Sequence, residues 1–209
     1  PAAAVRFRIL NAAHDRFLNL QLYLADTTVP ITAGCSGCVV NTEVKMTLAP
    51  DGREGGVPDP TTKGPAMVQI GNEGGFLPAP VVLPNEPITW NYDPTTFNFG
   101  NVDGGTLIMG PAERADVIVD FTNFAGKTLI LYNDAPTAFP ALVPQYDYYT
   151  GAPDRRDIGG ANTILPGLGP NIRTVMQIKV TGSGGGAPPD DYNAATLANL
   201  KAAFASTTA

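Results

Sequence analysis

The chain has 209 residues, room for one large domain or two small ones, and 44% of them are apolar, which supports a real core. Only 15% are charged, while 23 glycines and 20 prolines punctuate the chain, a density that favours many short elements joined by turns, an all-β domain rather than a helical one. A formal net charge of -6 repels phosphate backbones and argues against nucleic acid as a partner, and no apolar run approaches the roughly 20 residues of a membrane span.

No signal peptide is visible. The chain starts at Pro1 without Met, so an N-terminus made by processing or cleavage is expected. Val5, Phe7 and Ile9 alternate with Arg6 and Arg8, so residues 5–13 open as a strand with one apolar face. Residues 17–26 follow as a second strand. The stretch 26–66 has no period and is crowded with turn residues, and it reads as a long surface insertion. Strand character resumes over 66–71, and residues 72–84 turn and then run extended. Residues 85–105 are loop-like, with Trp90, Tyr92, Phe97 and Phe99 expected to pin them down. In 107–121, Val117, Val119 and Phe121 face one way and Asp116, Ile118 and Asp120 the other. Yet this strand is preceded by a lead-in, Gly110-Pro111-Ala112-Glu113-Arg114, that a plain strand does not need.

Residues 126–133 give a further strand after a Gly126-Lys127 turn, and 134–171 form a second irregular stretch. In 172–180, Thr174, Met176 and Ile178 oppose Val175, Gln177 and Lys179. Residues 181–190 are a Gly/Pro-rich linker, and 191–209 read as a helical segment. Asp191 can cap that helix, and Leu197, Leu200 and Phe204 share one face with nothing obvious to pack on, which hints at a partner outside the chain. About eight short strands with long connections suggest a Greek-key sandwich or barrel.

The chemistry-bearing residues are few. The single histidine, His14, has no Ser or Cys and acid framed around it, and a surface or interface position at a turn is favoured over a catalytic one. Blue copper needs two His and a Cys, and a trinuclear copper site needs many His, so neither can be assembled here. A zinc site from Cys35, Cys38 and His14 is one ligand short. Cys35 and Cys38 form C-x-x-C in a loop, without the helix start of a redox motif. A disulfide in an oxidising compartment is favoured over free thiols. The Gly-rich runs at 71–75 and 182–186 lack phosphate-binding spacing. Asp154/Asp157 and Asp190-Asp191 read as solvated charge, and Tyr146, Tyr148 and Tyr149 either touch a substrate or anchor their loop.

Three motifs stand out in order: Arg6–Ala12 (RFRILNA), Gln69–Gly75 (QIGNEGG) and Pro111–Phe121 (PAERADVIVDF), followed by TVMQIKV at 174–180. Together they resemble the middle, second cupredoxin-like domain of three-domain bacterial multicopper oxidases. The nearest types are the spore-coat laccases and bilirubin oxidases, and the long insertion is suggestive of a manganese-oxidase-like subfamily. The resemblance implies a cupredoxin-like Greek-key β-sandwich over 1–180 with its N-terminal strand missing. It makes Arg6, Asn11, Gly74, Gly75, Glu113, Arg114 and Asp116 structural motif residues. The lead-in at 110–114 would hold the start of a strand, with a half-buried Arg114 paired to nearby carboxylates.

The resemblance also implies a copper-dependent oxidoreductase in the complete protein, coupling one-electron oxidation of a phenolic or metal-ion reductant to reduction of O2 to water. The type 1 and trinuclear copper ligands of that family lie in His-x-His and His-Cys-His motifs, and this sequence has none. The expectation is therefore a fragment of a secreted, periplasmic or cell-surface oxidase, inactive alone. It would contribute no catalytic, cofactor-binding or metal-binding residue, and its partners would be the domains that carry copper. The contrasting reading is a stand-alone β-sandwich binding or adhesion module.

Overall fold

The structure is a computed structural model and describes residues 2–30, 37, 39–91, 93–136, 143–182 and 194–207. Two four-stranded antiparallel sheets face each other. The first runs β1 (Ala4–Leu10), β8 (Arg114–Asp120), β5 (Met67–Asn72) and β6 (Gly75–Leu83) in spatial order. The second runs β10 (Thr174–Lys179), β9 (Thr128–Asn133), β2 (Leu18–Leu24) and β7 (Leu107–Met109). A separate two-stranded ribbon joins β3 (Met46–Thr47) to β4 (Val57–Pro58). One helix, α1 (Ala194–Thr207), follows the last strand. The expected all-β architecture with a C-terminal helix is what the chain adopts.

Alternation decides which side chains meet between the sheets. Val117 and Val119 of β8 turn inward with Met67 of β5, and Leu20, Leu22, Leu107 and Leu129 come from the second sheet. Each such side chain contributes roughly 1.5–3 kcal/mol by leaving water. Phe7 lies edge-on to Phe121, ring centroids 6.2 Å apart, and closes one end of this core.

The stretch 26–66 is not only surface. Glu43, Val44 and Val57 are buried, and Val44 packs with Tyr23, Ala25, Ile130 and Tyr132 on the outer side of the second sheet. The reason lies in β2 and β9, which carry large side chains on both faces and need a second cover. Asn19, Gln21 and Tyr23 alternate with leucines, a pattern that normally marks a wet face, yet all three are buried. They satisfy themselves internally: the Tyr23 hydroxyl donates to Gln21 Oε1 at 2.5 Å, and Gln21 Nε2 donates to the Glu86 carbonyl at 2.7 Å.

Residues 85–105 are pinned by Trp90, which packs with Ile88 and Ala135. Phe97 is fully exposed and pins nothing, while Tyr92 lies outside the described residues. The helix also departs from expectation. It packs against β6, with Phe204 edge-on to Phe76 at 5.7 Å between centroids. Its partner was invisible in sequence because Phe76 lies 128 positions earlier, directly after the glycine turn. Asp191 lies outside the described residues, as does most of the linker. No helix among the described residues is long and apolar enough to cross a membrane.

Candidate functional site

The lead-in to β8 is a turn. The Glu113 N–H donates to the Gly110 carbonyl at 3.1 Å. Pro111 occupies the second position and Ala112 the third with φ of 66°, the pattern of a type II turn. Alanine in that left-handed region costs about 1–2 kcal/mol. The surroundings offset it. The Gly110 N–H donates to the Glu113 carboxylate at 2.6 Å. The Ala112 N–H donates to the Asn11 carbonyl at 2.8 Å, and the Asn11 N–H to the Glu113 carbonyl at 3.0 Å. Asn11 is 1% exposed. Its Nδ2 donates to the carbonyls of Arg16 and Met109 at 2.7 and 3.0 Å, and its Oδ1 accepts from the Ala13 N–H at 3.1 Å.

The second motif meets the third at this place. Asn72 pairs with Gly75 around a two-residue turn, Glu73-Gly74, with φ of 51° and 88°. Positive φ at both positions marks a type I′ hairpin, which glycine fits and glutamate does not favour. Glu73 is held there by Arg114. The Glu73 N–H donates to the Arg114 carbonyl at 3.1 Å, and the Arg114 N–H donates to Glu73 Oε1 at 2.7 Å. The Arg114 guanidinium contacts Glu73 Oε2 at 2.6 Å and donates to the Ala112 carbonyl at 2.9 Å.

Arg114 is 53% exposed, about half-buried, so its ion pair contributes about 1 kcal/mol or less and mainly sets geometry. On the neighbouring strand Arg6 makes a two-pronged pair with Asp116, Nε to Oδ1 at 2.8 Å. The Arg6 hydrogen bond holds the Asp116 carboxyl below its ordinary range. Arg6, Gly74, Gly75, Arg114 and Asp116 thus line a surface cleft of about 400 Å³ at one end of the first sheet.

A buried ionic cluster lies elsewhere, and nothing in the sequence announces it. Arg53, from the long stretch before β4, reaches the core. Its guanidinium donates to the carbonyls of Ile88 and Asp134 at 2.7 and 3.1 Å and lies 3.5 Å from Asp51 and 3.4 Å from the Asp134 carboxylate. Burial pushes the Asp134 carboxyl up to about 6, against the pull of Arg53. Nearby, Arg173 donates to Asp147 at 2.5 Å and to the Glu54 carbonyl at 3.0 Å, and stacks over Tyr149 at 4.0 Å from the ring centroid. Burial also pushes the Tyr132 phenol up to about 12. Arg53, Asp134, Asp147 and Arg173 come from distant parts of the chain, so their pairings leave no local signal.

The tyrosine cluster divides. Tyr149 is buried under Arg173 and anchors its loop, whereas Tyr146 and Tyr148 line a cleft of about 640 Å³ with Arg16, Asn133 and Ile172. Asp154 pairs with Arg156, whose hydrogen bonds hold its carboxyl down at about 2. His14 is exposed in the bend between β1 and β2. Cys35 and Cys38 lie outside the described residues. Among the described residues no group of three or more His, Cys, Asp or Glu could hold a metal ion.

No protein-family model matches the chain. A stretch of 69 residues is 35% identical to a laccase of Bacillus stratosphericus and 33% identical to a laccase of Bacillus subtilis (strain 168). It covers 33% of this chain and 9% of each laccase, so the chain matches only a small part of those relatives. Among solved structures, the multicopper oxidase McoA 2F4 variant from Aquifex aeolicus aligns with 65% of this chain and 19% of its own, with 19% identity and a TM-score of 0.33. Over a third of its length, this all-β chain is similar to bacterial laccases.

Proposed function

We propose that residues 1–180 form the middle, non-copper domain of a multicopper oxidase, with 181–190 a linker and 191–209 a helical segment leading toward the next domain. The carrying observation is the likeness to laccases in a chain whose own donor set does not fit a copper centre. Its one histidine is exposed in a bend, and a blue-copper site needs two histidines with a cysteine. In this reading copper belongs to other domains. The complete protein takes electrons singly from a reductant, a phenol or a metal ion, and O2 is reduced to water. This chain contributes rigidity, since domains that must hold reactive centres in fixed relation need a stiff spacer. The clamp of Asn11, Glu73, Glu113 and Arg114 is the kind of strand-end fixing that such a role requires.

The test uses the 209-residue chain with added copper(II). The expected result is no blue absorbance and no oxidation of a phenolic dye. A blue species, or turnover, overturns the reading. The proposed location is outside the cytoplasm, secreted or periplasmic, with Cys35 and Cys38 joined as a disulfide. Thiol titration of the denatured, unreduced protein should then find none free; two titrating thiols would refute the pairing.

A further inference from the structure

The connection between β1 and β2 carries Arg16, whose backbone is fixed by the Asn11 amide donating to its carbonyl at 2.7 Å. Its Nη2 donates to the Ala135 carbonyl at 2.7 Å. Its Nε and Nη1 are buried and, among the described residues, have no acceptor. A guanidinium has five N–H donors, and leaving them unpaired away from water is costly. Asp147 attracts Arg16 through space, but that carboxylate is engaged by Arg173 at 2.5 and 3.3 Å, and Arg173 repels Arg16. Burial, only partly offset by Asp147, pulls the Arg16 guanidinium down to about 10. Arg16 lines the cleft of about 640 Å³, so the cleft is the side from which an acceptor can reach it. The amides that share this wall are already engaged. Asn133 Oδ1 accepts from the N–H groups of Asn19 and Ala135, and Asn171 Oδ1 from those of Arg173 and Thr174. Leu18, Ile172, Val175 and the rings of Tyr146 and Tyr148 supply apolar wall.

We propose that this cleft binds a small organic monocarboxylate with an aromatic or aliphatic body, its carboxylate held by Arg16. A carboxylate is planar and accepts two parallel N–H bonds, the geometry that a guanidinium fork offers. Its body replaces water against the tyrosine rings and the aliphatic side chains, as in a typical small-ligand cleft of this size. Asp15 stands exposed on the same wall and is not paired with Arg16, so a second negative charge on the ligand is repelled. That favours a monoanion over a phosphate-like dianion. Reaching the covered donors takes a side-chain adjustment at the wall, as is common on binding. The site needs no copper, and it stands whether or not the chain belongs to an oxidase.

The test titrates the full 209-residue chain at neutral pH with phenylacetate, phenylacetamide and acetate, read by calorimetry and by amide NMR shifts. Phenylacetate should bind saturably, with shifts gathered at residues 16–18, 146–148 and 172–175. Phenylacetamide lacks the charge and acetate lacks the ring, and each should bind ~10-fold or more weakly. Arg16→Gln should weaken phenylacetate ~10-fold or more while leaving phenylacetamide unchanged. Should that variant not fold, Val175 decides, because it lies on the cleft wall and is 49% exposed, so its replacement spares the core. Val175→Glu and Val175→Lys both remove the apolar contact and differ in charge. The glutamate variant should bind phenylacetate ~3-fold or more weakly than the lysine variant. Absence of phenylacetate binding, equal binding of the amide, undiminished binding by Arg16→Gln, shifts gathered elsewhere, or a glutamate variant that binds as well as the lysine one would each overturn the proposal.

Discussion

Asn11 has its backbone and its side-chain amide bonded to different segments, the turn at 110–113 on one side and residues 13, 16 and 109 on the other. Removing the amide leaves the carbonyls of Arg16 and Met109 without their donor in a buried place. Asn11→Ala should therefore lower stability by about 2–3 kcal/mol, read as a shift in the denaturant midpoint at constant slope. Asn11→Asp is nearly the same shape yet should be worse at neutral pH, because a carboxylate then faces two carbonyl oxygens. A loss below ~0.5 kcal/mol for the alanine variant would mean the clamp at the start of β8 is not holding the fold. The sequence motifs singled out Asn11, Glu113 and Arg114, and all three bond at the turn that leads into β8. Glu73 lies in the second motif, but its pairing with Arg114 was not legible, because nothing in a hairpin turn states which strand lies beside it.

At the scale of elements, strands with one apolar face were legible throughout. The alternation in β1 and β8 assigns the inward residues correctly, since a half-buried strand has period two, whereas in β10 a bulge between Thr174 and Met176 breaks the period and leaves Met176 exposed. The reading failed where polarity was buried. Asn19, Gln21 and Tyr23 look like a solvent face, and only the cover supplied by Val44 and its neighbours makes them interior. It failed again for β3 and β4, each two residues long and too short to show any period. The helix was legible but its seat was not. With Phe204 against Phe76, Phe204→Ala should detach α1 and leave the two sheets intact. Hydrogen exchange should then speed up across 197–206 while β5 and β8 stay protected, at a cost of about 1 kcal/mol for the aromatic pair. Unchanged exchange in the helix would show that the ring contact does not hold it.

For the whole molecule, ionised groups set the response to acid. Asp134 has a folded pKa raised to about 6. Its unfolded value is near ~3.9, so between those values the folded state binds the extra proton, and stability rises as pH falls from 6 toward 4, by up to ~3 kcal/mol. Asp59 and Asp154 behave oppositely. Hydrogen bonds led by Thr61 hold Asp59 down at about 2, and those from Arg156 do the same for Asp154, so their contributions vanish as pH falls through that value. The chain should be most stable between about pH 4 and 5. Asp134→Asn should flatten the rise above pH 4 without touching the acid limb. A wild-type melting temperature that declines steadily from pH 7 to 4 would contradict this.

Strand β2 has a consequence for folding specificity. Its leucines face the core between the sheets, and its Asn19, Gln21 and Tyr23 face a second, polar interior. A register slip of one residue against β9 would exchange the two sets at once, driving amides into hydrocarbon and leaving leucines against the Glu86 carbonyl and the Thr106 hydroxyl that now bond Gln21 and Asn19. A strand wet on one side can tolerate such an error for a while, because water solvates whatever is turned outward. A strand with two dissimilar interiors cannot, and so β2 acts as the key that permits a single alignment of its sheet.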